Sequence, residues 1–181
     1  MKYNRNQDSS FWKLARSFLH EYMPIVRNLS DKTVESYKIS IKLYLTFIND
    51  EKNITNDKIT FDIFTRANMK DYIVWLKNKN ASAKTINLRM TALKSFLKYC
   101  SEEDFELRVF YNNACTIKGQ KIIKKPIEYL KPEATKAILS AFVGDTVKHR
   151  RNRMILILMY DSGCRVQEIA DLKVSSLHLD V

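Results

Sequence analysis

Apolar residues recur along this chain at intervals of three and four, the period of helices that bury one face. Phe11, Leu14, Ala15, Phe18 and Tyr22 predict a short first helix over 10–22, with Pro24 closing it. A longer helix begins at Ser30 or Asp31, both good N-caps, and points Val34, Tyr37, Ile41, Tyr44, Leu45 and Ile48 inward. Thr65 caps a third, with Met69, Tyr72, Ile73 and Leu76 on its inner face. Ser82 caps a fourth, in which Ile86, Met90, Leu93, Leu97 and Cys100 share one side. The acidic patch from Glu102 to Glu106 then breaks the rhythm.

After Tyr111 the pattern changes. Asn112, Asn113, Gly119 and a run of lysines ending at Pro126 read as a linker. Helicity resumes at Pro132, which suits a first helical turn. The chain therefore divides into residues 1–111, a basic linker over 112–130, and a second helical block over 131–181. Within that block RMILILMY reads as a buried helix over 147–161, with Tyr160 in its core. Ser162 and Gly163 stop it, glycine being the residue that enters the left-handed conformation without steric cost. Arg165 then stands at the mouth of another helix whose inner face is Val166, Ile169 and Leu172, with Glu168 in reach of the same end.

Composition narrows the class. Only three glycines and three prolines in 181 residues argue against a sheet-rich protein, whose hairpins need them. Gly119, Gly144 and Gly163 stand far apart, which excludes glycine-rich nucleotide loops. Cys100, Cys115 and Cys164 are unpaired in number, and His20, His149 and His178 fall into no metal spacing; no metal and no cofactor is expected. No apolar run approaches the ~20 residues a membrane span needs. MKYNRNQDSS lacks the apolar core of a signal peptide, so a cytoplasmic protein is expected.

Charge points to the partner. The formal balance is +11, and Lys118, Lys121, Lys124, Lys125 and Lys131 face a single acid, Glu128, in one short segment. Such a balance favours a polyanion, DNA or RNA. At about 100° per residue, one flank of the fourth helix gathers Lys84, Asn87, Thr91, Lys94 and Lys98, with Arg89 at the other edge. Lysines suit phosphates, while Asn and Thr can hydrogen-bond base edges. Lys32, Lys38 and Lys42 give the second helix a weaker version. A plain solvated face is the competing reading for both. Arg165 likewise offers either a phosphate fork or an ordinary surface pair with Glu168.

The stretch MYDSGCRVQEIADLKVSSLHLD resembles the first catalytic box of the tyrosine recombinase (phage integrase) family. That box reads Thr-Gly-Leu-Arg, then Glu, then a Leu-rich helix; here Ser162 and Cys164 replace its Thr and Leu. Upstream, LSDKTVESYKISIKLYLTFI and SAKTINLRMTALKSFLKYC resemble the paired DNA-facing helices of the family's core-binding domain. The resemblance implies an all-α fold: a four-helix SAM-like core-binding domain, a basic linker with Lys121, Lys124 and Lys125 along the duplex, and the first helices of a catalytic domain. It implies double-stranded DNA as partner, Arg165 as the residue gripping the scissile phosphate, and Glu168 as a supporting acid. A full-length parent would form a covalent 3′-phosphotyrosine link and assemble as a tetramer on paired sites. The family's lysine hairpin, His-x-x-Arg box and nucleophilic tyrosine have no counterpart here, so this polypeptide is expected to be an inactive, monomeric N-terminal portion. A naturally short DNA-binding protein that occupies recombination sites is the alternative, and a helical protein-interaction module the third reading.

Overall fold

The computed structural model describes residues 10–123, 126, 128–141, 144, 146–173 and 175, and among them every regular element is helical. The protein is all-α. It divides into two compact units, Met1–Ile123 and Lys124–Val181.

The first unit opens with α1 (Ser10–Ser17), which passes directly into a π-helical segment, Phe18–Val26. Pro24 lies inside that segment instead of ending the helix. Proline's ring collides with the carbonyl four residues back in an α-helix; a wider turn relieves that clash. Three further helices follow: α2 (Asp31–Lys52), α3 (Arg66–Asn78) and α4 (Ala83–Glu103). Each begins where the sequence predicts, at Ser30, Thr65 and Ser82, whose hydroxyls accept from the backbone N–H of Thr33, Asn68 and Thr85. A further helix, α5 (Arg108–Cys115), runs through the start of the polar stretch that reads as linker. Its Ala114 and the following Ile117 are buried, so their packing outweighs the polar punctuation around them.

Helix α4 is the hub, packing on α2, α3 and α5. Its Phe96 is fully buried, with its ring 5.4 Å from Phe18, 5.7 Å from Phe11 and 6.2 Å from Phe64. Every residue expected on its inner face is buried, as are Met69, Tyr72, Ile73 and Leu76 of α3. On α2, Ile41, Tyr44, Leu45 and Ile48 are buried and Val34 and Tyr37 are half-buried. The Tyr44 hydroxyl donates to the Ile63 carbonyl at 2.7 Å, tying α2 to the turn before α3.

The second unit contains α6 (Pro132–Ser140), α7 (Val147–Ser162) and α8 (Val166–Ala170). Here the expected burial is corrected. Tyr160 is 65% exposed, Met154, Val166 and Leu172 are exposed, and Ile169 is half-buried. Within this unit α7 packs on α6 and α8, which are only nine and five residues long.

Candidate nucleic-acid interface

The roll of α4 is fixed by its buried face, and this decides where its polar flank points. Lys84, Thr91 and Lys98 stand exposed on that flank, and the Lys98 ammonium lies 3.6 Å from Glu102. Asn87 and Lys94, on the same flank, are engaged by the chain that follows α5. Asn87 Nδ2 donates to the Gln120 carbonyl at 2.9 Å, and its Oδ1 accepts from the Gln120 N–H at 2.7 Å. Lys94 Nζ donates to the Ile117 carbonyl at 2.7 Å. The amide edge of Asn87, expected to read bases, is thus occupied by backbone.

Arg89 also departs from its expected position on an outer edge. Its guanidinium is half-buried against α2, donating to Ser40 Oγ at 2.9 Å and the Ser36 carbonyl at 3.4 Å. Ser40 is itself fully buried and donates to Ser36 at 2.7 Å. Arg89 therefore braces the two helices against each other. The α2 lysines lie elsewhere: Lys38 and Lys42 line a groove of about 590 Å³ against α1, with Arg16 and His20 opposite and Trp12, Ile41 and Leu45 on its floor. Lys38 sits 3.6 Å from Glu35, and Lys32 is exposed in the first turn. Helix α2 thus meets Arg89 of α4 through Ser36 and Ser40, while its Lys38 and Lys42 line the groove beside α1.

Beyond Ile117 the chain lies against α4 with Lys118 and Lys121 exposed. Lys124 and Lys125 lie outside the described residues. Beneath this surface, burial pushes the Tyr44 and Tyr72 hydroxyls and the Cys100 thiol to higher pKa, holding all three neutral.

In the second unit the turn forms as its sequence predicts. Gly163 adopts φ 64° and its N–H bonds the Met159 carbonyl at 3.1 Å. Arg165 follows in extended conformation as the N-cap of α8. Glu168 grips it twice: one carboxylate oxygen accepts from the Arg165 backbone N–H at 2.6 Å, the other from its guanidinium at 2.8 Å. The Arg165 side chain is 85% exposed, so this pair stores little energy, but it sets the direction of the fork. Among the described residues nothing else bonds that guanidinium, which leaves donors for an anion.

Residues 17–104 match the family model described as phage integrase, N-terminal SAM-like domain. The chain is 30% identical over 163 residues to tyrosine recombinase XerD of Oceanobacillus iheyensis, covering 90% of this chain and 52% of that protein. It is 26% identical over 170 residues to tyrosine recombinase XerC of Chlamydia muridarum, covering 87% and 53%. A putative tyrosine recombinase of Caldanaerobacter subterraneus is 26% identical over 169 residues, covering 92% and 55%. The chain spans about half the length of these relatives.

Proposed function

We propose, from the premise that this chain belongs to the tyrosine recombinase (phage integrase) family, that it is the DNA-binding N-terminal portion of a site-specific recombinase, comprising the core-binding domain, a basic linker and the start of the catalytic domain. The observation that carries the reading is the exposed cationic flank of α4, held in a fixed roll by a buried face, inside the segment that matches the integrase domain. Lys84, Lys98, Lys118 and Lys121 would neutralise phosphates and release counterions, while Thr91 is free to meet a base edge. Lys32, Lys38 and Lys42 would add contacts from α2.

Arg165 would hold the scissile phosphate. A tyrosine hydroxyl attacks phosphorus and gives up its proton, the bond to the 5′-oxygen breaks with that oxygen taking up a proton to leave as a 5′-hydroxyl, and a 3′-phosphotyrosine link forms. Negative charge grows on the non-bridging oxygens in between, where a preset guanidinium contributes roughly 3 kcal/mol. Glu168 orients Arg165 and is not a proton donor in this scheme. All nine tyrosines precede Arg165 in the sequence, and Tyr160 belongs to α7. This chain is expected to bind duplex DNA, with four full-length protomers acting on two sites.

Duplex affinity measured against salt tests the binding. A surface touching ~6 phosphates gives a log–log slope of about −5, and Lys84→Ala lowers its magnitude by roughly one. Affinity independent of salt would reject DNA binding in favour of a helical interaction module.

A further inference from the structure

Asn87 and Lys94 form a latch on the chain that leaves the first unit. Seven residues of helix separate them, a rise of about 10.5 Å. Their partners, Ile117 and Gln120, are three residues apart, about 10 Å when extended. The order of the two pairs, Lys94 with Ile117 and Asn87 with Gln120, means that this strap runs antiparallel to α4. Asn87 engages both the N–H and the C=O of one residue, an arrangement that fixes its amide orientation without ambiguity. Gly119 makes room for it: a Cβ there would come within 3.3 Å of Asn87 Oδ1.

We propose that Asn87 is a positioning residue that holds the start of the linker along the basic flank of α4. Lys118 and Lys121 then extend one phosphate track with Lys84. The role in DNA binding rests on the recombinase reading above, but the latch itself does not. Lys94 contributes the second clasp, and its ammonium keeps two further donors for a phosphate.

Two measurements on the 181-residue chain test this. The first needs no DNA. Trypsin cuts after Lys118 and Lys121, and cleavage there should accelerate about 10- to 30-fold in Asn87→Ala, the effect of losing two neutral hydrogen bonds. Helical circular dichroism should stay unchanged. Lys94→Met, which keeps the aliphatic stem, should accelerate cleavage several-fold and carries the test if Asn87→Ala fails to fold. Unchanged cleavage in the folded variants overturns the latch. The second measurement is the salt slope of duplex binding. Asn87 bears no charge, so a direct base contact would leave the slope alone and reduce only the preference for specific over random duplex. Loss of positioned lysines instead lowers the slope by about 1–2. An unchanged slope alongside faster cleavage overturns the positioning role; salt-independent binding by the unaltered chain would reject the recombinase reading and leave the latch standing.

Discussion

At the scale of single residues, a polar side chain on a helix flank is defined by what reaches it. Asn87, Arg89 and Lys94 all have the chemistry of DNA contacts. Yet Asn87 and Lys94 hold the segment that follows α5, and Arg89 braces α2. Arg165 is the opposite case, because its partner is three residues away and its surroundings are set by one turn. The consequence for catalysis can be tested in a full-length recombinase carrying this chain. Arg165→Ala should reduce covalent adduct formation on a cleavable duplex by at least ~100-fold, the effect of removing one preset donor. Affinity for the same duplex should change little, since the proposed binding surface lies mainly on the first unit. Cleavage at the original rate would remove Arg165 from the active site.

The elements depend on their ends as much as on their stripes. Ser30, Thr65, Ser82 and Thr146 each accept from the N–H three residues on, and each stands where a helix begins. Ser82 starts the helix that carries the proposed basic flank. Ser82→Ala should cost about 1 kcal/mol. In a unit of this size that lowers the melting temperature by roughly 3–5 °C, measurable by calorimetry or circular dichroism. A shift below a degree would mean that the cap is replaced by solvent. The π-helical segment illustrates a different limit. Pro24 reads as a stop because an ordinary helix cannot accommodate it, but the chain widens its turn and continues to Val26. The periodicity of 3.6 carries no sign of that choice.

At the scale of the whole molecule, the first unit depends on an aromatic core that keeps several titratable groups neutral. Burial raises the pKa of Tyr44, Tyr72 and Cys100 above their ordinary values. The unfolded chain ionises them at about pH 8.5 for the thiol and about pH 10 for the phenols. The stability they provide is therefore full below those values and is lost as pH rises above them, by up to ~1.4 kcal/mol per pH unit for each group. Urea midpoints should be flat from about pH 6 to 8 and fall steeply beyond about pH 9.5. A midpoint that stays level at high pH would show that these groups are solvated.

The sequence by itself determined the helical class, three of the helix starts in the first unit, the buried faces of α3 and α4, and the turn from Gly163 to Arg165 with Glu168. All of these follow from contacts within a few residues, where spacing and side-chain chemistry dictate geometry. Only the tertiary structure decided that Asn87 and Lys94 belong to the strap and Arg89 to α2. Their partners lie 33, 23 and 49 residues away along the chain, and nothing in local spacing encodes which distant carbonyl or hydroxyl will arrive. The same holds for α7: its apolar run predicts burial, but burial requires a covering element, and α6 and α8 are too short to enclose it.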